Sequence, residues 1–377
     1  MTDTPAPAAS HTYPCGGCGA RVQFAPGTNA MRCPYCGFQQ EITTGDRQVR
    51  EIAFAELTRL PRKPVGAIGA YTLKCQRCAA QTQTNDIAGT CQFCGSPLVV
   101  DGTATGQIVP EAVLPFMLDR GAMRDALGKW TSSRWFAPSA LKKVREAEST
   151  KGTYVPHWTF DSQTVSQYSG QRGEHYYTTE RYTDSDGNTQ TRRVQHTRWY
   201  PANGVVERFF DDILIPASVA LPQKKLHDLQ PWPLLDAAPY QPQYLAGYSA
   251  LRYDVEPEQG FDTARTTIEP VIREDCRQDI GGDEQRVNDV ATQHNNVTFK
   301  LMLLPVWIAT YLHAGKTWQI LVNGRTGEVH GERPYSKAKI ALAILLVLAV
   351  IAAIIVWIVL SRHTGTTTTS PTPAPRR

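Results

Sequence analysis

Eight cysteines carry the strongest chemical signal in this chain, and they come as four Cys-x-x-Cys pairs: Cys15 with Cys18, Cys33 with Cys36, Cys75 with Cys78, and Cys91 with Cys94. Intervals of 14 and 12 residues separate the two pairs of each set, enough for a short two-stranded excursion that returns one knuckle beside the other. That is zinc-ribbon spacing. Four thiolates close a tetrahedron around a soft metal and leave no position for water or substrate, so two structural Zn2+ sites are expected, not catalytic ones. Glycine follows three of the pairs and supplies the positive φ that turns backbone amides toward sulfur, whereas Ala79 stands at the fourth. An iron centre of rubredoxin type and four disulfides are the alternatives. The N-terminus has neither a basic start nor an apolar core, so no secretory signal is read, and a reducing compartment is expected for the cysteines.

The ninth cysteine belongs to a different pattern. Ala264, Ile268, Ile272, Cys276 and Ile280 recur every four residues in a helical segment from about Glu256 to Ile280, which predicts that Cys276 packs in a core rather than reacts. Pro270 lies inside this segment, and a break or kink is expected there.

Ile340 to Leu360 is a run of 21 residues without a charged or polar side chain. At helical rise it reaches about 30 Å, the thickness of a bilayer core, so it is read as a single transmembrane helix rather than a buried core helix. Lysines precede it and Arg362 follows, so flanking charge hardly sets its orientation. Thiolates that need a reducing environment place the N-terminal bulk in the cytoplasm.

These features order the chain. Residues 1–12 are read as disordered, 13–42 as the first zinc ribbon, 43–70 as a linker with a helix-compatible stretch at Arg47 to Leu60, and 71–100 as the second ribbon. Residues 106–336 form an α+β cytoplasmic domain, 340–360 the transmembrane helix, and 361–377 a threonine- and proline-rich disordered tail. The expected fold class is therefore α+β: two N-terminal ribbons, a β-rich mixed central domain and one C-terminal span. Within the central domain, helices are expected at Asp119 to Trp130 and Pro138 to Glu148. Strands are expected at Thr153 to Phe160, Tyr176 to Tyr182, Arg192 to Tyr200, Val205 to Phe210, Phe299 to Leu312 and Thr317 to Val322.

Two motifs mimic ligand loops. The D-S-D-G-N run at Asp184 to Asn188 resembles the start of a calcium loop, but its glycine comes one place early and no glutamate closes it, so a hairpin turn is read. Gly315-Lys316-Thr317 resembles the end of a phosphate loop, but Thr310 stands where the motif needs glycine and a strand pattern follows. Histidines, including His157, His175, His196 and His313, are scattered singly and are read as structural. No catalytic constellation or small-molecule substrate is inferred.

Several segments together resemble a family of bacterial zinc-ribbon membrane proteins. They are the tandem ribbons, Y-V-P-H-W-T-F-D at Tyr154 to Asp161, P-Y-Q-P-Q-Y-L-A-G-Y at Pro239 to Tyr248, L-P-V-W at Leu304 to Trp307, V-N-G-R-T-G-E-V at Val322 to Val329, and the terminal span. Members are often labelled primosomal protein N′ or superfamily II helicase, yet this chain lacks a phosphate loop and helicase motor motifs. Some relatives look like partners of phage-shock protein A and of stomatin/prohibitin/flotillin-type proteins in envelope-stress complexes. The resemblance implies a membrane-anchored adaptor that recruits cytosolic proteins. Tyr35 and Phe93, at the knuckle tips, are the candidate partner contacts, and packing within their own ribbons is the alternative reading. A tethered nucleic-acid-binding protein is the rival function. Net charge is only +4, and the first hundred residues carry nine basic against six acidic side chains, a weak field for a polyanion.

Overall fold

The computed structural model describes residues 10–11, 13–43, 45, 47–100, 106–134, 150–183, 185, 187–313, 315–332 and 337–363. It is a mixed α+β chain dominated by sheet. The expected helix at Pro138 to Glu148, and the terminal segments at residues 1–9 and 364–377, lie outside the described residues. Ser10 and His11, at the end of the stretch read as disordered, pair with Val100 and Val99.

Strand β1, Lys151–Thr183, organises the molecule. Its residues Thr153 to Ser162 are buried without interruption, which a strand achieves only when both of its faces and both of its edges are covered. On one edge it pairs antiparallel with β2, Thr189–Pro216, and along the other with β3, Glu284–His313. Strand β4, Lys316–Asn323, folds back on β3. Four strands expected between Thr153 and Phe210 are thus two long arms of one hairpin, closed by the pair Thr183 and Thr189.

The breaks read in the sequence have local causes that the sheet absorbs. Pro201 cannot donate to a ladder, but among the described residues β2 pairs with β1 alone, and proline is tolerated on such an edge. Gly204 leaves room over the strand for Tyr168 Oη to donate to Asp279 at 2.6 Å; a Cβ there would lie 2.6 Å from that hydroxyl. Glycine here marks a close approach, not a turn.

Helix α1, Arg120–Ser132, begins one residue after its N-cap Asp119, whose carboxylate accepts the Ala122 amide at 2.8 Å. Helix α2, Pro257–Ile280, buries the expected stripe of Ala264, Ile268, Ile272, Cys276 and Ile280 against Trp158, Phe160 and Tyr168 of β1. Cys276 is fully buried, and burial pushes its thiol up. The helix runs through Pro270 without a break. That residue and Thr266, whose carbonyl loses its amide partner, both lie on the exposed side of the helix.

Residues between the ribbons also join the sheet. Ile52 and Ala53 pair with Phe299 and Thr298, and Phe54 to Arg59 form a 3-10 turn where the sequence reads as α-helix-compatible. Phe54 is drawn into an aromatic group with Phe160, Phe261 and Phe299, ring centroids 4.9–6.3 Å away. Capturing that ring constrains the backbone more than helical propensity does.

Gly260 tests the packing of α2. A Cβ at this position would sit 2.9 Å from Trp158 and 3.2 Å from Phe160, both fully buried. Alanine normally gains about 1 kcal/mol over glycine inside a helix. Here Gly260→Ala is expected to destabilise by about 1–3 kcal/mol, because the rings cannot move without strain. Chemical denaturation of the detergent-solubilised protein measures it, and a gain in stability contradicts the packing.

Candidate metal centres

Each Cys-x-x-Cys pair forms the same backbone knuckle. The first cysteine donates its amide to the carbonyl five residues on, at 2.5–2.8 Å: Cys15 to Ala20, Cys33 to Phe38, Cys75 to Ala80 and Cys91 to Ser96. Its own carbonyl accepts the amide four residues on, at 2.8–3.0 Å, from Gly19, Gly37, Ala79 and Gly95. All four of those residues have positive φ, between 58° and 76°. The knuckle demands that conformation, so glycine follows three pairs, and Ala79 adopts it at a steric cost.

Short strands bring the knuckles together. In the first ribbon Gln23–Phe24, Ala30–Arg32 and Gln39–Glu41 make a small antiparallel sheet. In the second, Tyr71–Lys74 pairs with Gln81–Thr84, and Ala88–Thr90 with Pro97–Val100. The Sγ atoms of Cys15 and Cys36 then lie 3.5 Å apart and those of Cys18 and Cys33 3.7 Å; in the second tetrad the distances are 3.6 Å for Cys75 and Cys94, and 3.7 Å for Cys78 and Cys91. Within each tetrad all four sulfurs fall within 4.8 Å of one another. A tetrahedron with metal–sulfur bonds of about 2.3 Å has edges of about 3.8 Å, so the spacing fits a thiolate-bound metal. It is far from a disulfide, whose sulfurs stand about 2.05 Å apart, and all nine cysteines are free. Both four-cysteine groups are positioned to bind a metal ion such as zinc.

Neighbouring groups move the thiols in opposite directions. The Cys36 amide holds the Cys33 thiol down at about 6, and the Ser96 hydroxyl does the same for Cys94, whereas, against the Phe38 and Ala80 amides, neighbouring thiols and burial push Cys36 and Cys78 up to about 12. The first cysteine of every pair is buried, while the second is exposed or half-buried. Tyr35 and Phe93, each between the cysteines of its ribbon's second pair, are 67% and 71% exposed, and the Tyr35 hydroxyl accepts from Arg21 of the same ribbon.

Both ribbons are fused to the body of the protein. Cys15, Val22, Phe24, Met31 and Cys33 belong to the same buried cluster as Phe116, Tyr154, Tyr244 and Trp307. The second ribbon extends the large sheet, because Ala88 pairs with Ala250, whose neighbour Ser249 opposes Thr153 of β1. At the other end, helix α3, Lys337–His363, contains a 20-residue stretch, Lys339–Ile358, long and apolar enough to cross a membrane, and none of it is buried.

Sequence reading missed one polar cluster. Glu51, Asp161 and Asp212 converge around Lys300, whose ammonium donates to Glu51 at 2.5 Å and to Asp212 at 2.6 Å, while Thr298 donates to Glu51 and Asp161. Burial, with Glu51 beside it, pushes Asp161 up to about 7. Burial opposes ionisation of Glu51 as well, but hydrogen bonds from Asp161 and Lys300 hold it at about 2. The cluster thus holds a cation of its own, the lysine. Four residues from four separate segments leave no spacing signature in the chain.

The histidines are held individually. His157 is buried and kept neutral at about 4, with Nδ1 donating to the Val155 carbonyl at 3.0 Å. His175 meets Glu284 at 2.8 Å, and His196 stacks on Tyr176. Residues from Lys316 onward form β4, so a strand follows Gly315-Lys316-Thr317 where a phosphate loop needs a helix.

Two outcomes are expected. Ala79→Gly relieves the positive-φ strain and stabilises the second ribbon by about 1 kcal/mol, read as a raised melting temperature at unchanged metal content; no gain contradicts the strain. For Asp161, a folded value raised from 3.8 to about 7 favours the fold fully at low pH, and that contribution is lost as pH rises through this window. The stability of Asp161→Asn relative to the natural protein is therefore expected to increase from about pH 4 to about pH 7 and then level off. Paired thermal melts across that range check it, and a constant difference contradicts the assignment.

No family model matches this chain, and no solved structure matches it. It is similar over 332 residues, at 25% identity, to the uncharacterized protein YdjG of Bacillus subtilis (strain 168). The alignment covers 88% of this chain and 92% of that one.

Proposed function

We propose that this protein is a membrane-anchored adaptor whose two zinc-holding ribbons recruit cytosolic proteins to the membrane surface. The observation that carries the reading is the pairing of closed all-thiolate sites with exposed aromatic tips, Tyr35 and Phe93, on a chain bearing one apolar helix. Four thiolates per site leave a metal no open coordination position, so its contribution is shape. Zinc is favoured over iron because nothing else in the chain serves electron transfer. Cys15, Cys18, Cys33 and Cys36 would hold one ion, and Cys75, Cys78, Cys91 and Cys94 the other.

The reducing environment that free thiolates need puts the ribbons in the cytoplasm, with α3 spanning the membrane once. Anchoring raises the local concentration of the tips at that surface, so a weak contact suffices. Partners of phage-shock or stomatin/prohibitin/flotillin type in an envelope-stress complex are the ones the family resemblance implies. The ribbons are a poor fit to nucleic acid, since Arg21, Arg32, Lys74 and Arg77 face only Glu41 and Asp86 and make no long basic track.

Replacing Cys33 and Cys36 by serine is expected to lower bound zinc from two equivalents to about one and abolish partner recruitment, while membrane insertion persists. Metal analysis, co-purification from detergent extract and membrane fractionation measure the three. Unchanged recruitment by that variant defeats the adaptor reading.

A further inference from the structure

We infer that the groove between the two ribbons is a binding site for an acidic, extended peptide segment of a protein partner, a deepening that rests on the adaptor reading above. The groove has a volume of about 270 Å³ and is lined by Tyr13, Arg21, Gln76, Arg77, Ser96 and Pro97, among others. Its walls come from both ribbons, so it exists only when both metal-held knuckle sets are folded side by side. Sites for drug-sized molecules run to about 300–1,000 Å³. This one, at the lower edge of that range, has room for a few side chains of a peptide.

Its electrostatics are one-sided. Arg21 and Arg77 line it, and no acidic side chain does so among the described residues. Arg21 spans the ribbons: one guanidinium nitrogen donates to the Gly95 carbonyl and another to Tyr35 Oη at 3.4 Å. Arg21 is half-buried, and those bonds fix its guanidinium as a standing positive charge at the groove, with which a carboxylate can pair. Arg77 is exposed and makes no side-chain hydrogen bond or ion pair among the described residues. It is free to close on a second carboxylate.

The flanks select a peptide over a small anion. Tyr35 is tied to Arg21 at one side, and Phe93 stands on the knuckle whose exit residues, Ser96 and Pro97, form the other wall. Exposed aromatic rings beside paired arginines suit a chain that alternates carboxylates with apolar side chains. A polyanion needs a longer track, and the ribbons together carry four basic against two acidic residues.

The test uses the full-length zinc-loaded protein in detergent micelles and a fluorescein-labelled peptide in which glutamates alternate with leucine and tyrosine, read by fluorescence anisotropy at roughly physiological ionic strength. Binding is expected, and on the order of tenfold loss is expected both for Arg77→Glu and for the same peptide with glutamine in place of glutamate. Arg77→Glu should keep its zinc content and melting temperature; should it lose either, the glutamine peptide on the natural protein decides. Absence of binding by the acidic peptide, equal binding of the glutamine peptide, or tighter binding of a short single-stranded DNA overturns the proposal. Partner co-purification separates the two readings. If Arg77→Glu recruits partners as well as the natural protein does, the groove assignment fails and the adaptor reading stands; if the natural protein recruits none, the adaptor reading fails by itself.

Discussion

The pairing of β1 with β3 is the constraint on which the rest of the structure depends. Along Lys151 to Asp161 the central strand opposes Ile308 to Thr298, with no face left to water over most of that length. Backbone groups this deeply buried must be bonded on both edges, and apolar side chains must be covered on both faces. Helix α2 covers one stretch through Trp158 and Phe160, and the 3-10 turn at Phe54 closes the same stretch from another direction. Tyr154 and Trp307 serve the opposite cluster, where the first ribbon is seated.

That seating changes what the metal sites do. A free zinc ribbon cannot bury enough surface to fold and takes its stability from the ion. Here a bound ion would close the knuckles, but Val22, Phe24 and Met31 also rest on Tyr244 and the central sheet, and Tyr244 Oη donates to Asn29 within the ribbon. The second ribbon is joined through backbone pairing at Ala88. Core and sheet therefore hold each ribbon at a set position relative to the other, and a bound metal would reinforce that arrangement. A groove between them, bridged by Arg21, is a consequence of that double attachment.

Much of the fold was legible because its signals are local. Asp119 announces α1 as a cap, and the four-residue recurrence from Ala264 to Ile280 announces α2 with its buried cysteine. Misreadings arose where a tertiary partner rescued a local breaker. Pro201 and Gly204 look like strand ends, yet one sits on an edge where no amide is required and the other makes room for the Tyr168 hydroxyl. Pro270 reads as a break or kink, yet the helix runs through it, with the proline on the exposed side. Residues Arg47 to Leu60 look helical, yet Ile52 is drawn into the sheet and Phe54 into an aromatic group.

By itself the sequence determined the two thiolate tetrads and the apolar span, because metal ligation needs particular atoms at particular spacings and a bilayer needs a particular length of apolar chain. Both are properties of short segments. Tertiary structure alone decided that the ribbons are fused to the body, that Tyr35 and Phe93 stay exposed, and that Glu51, Asp161, Asp212 and Lys300 meet around one buried ammonium. Those outcomes depend on which residues far apart in the chain compete for the same buried space, and no local pattern encodes the winner.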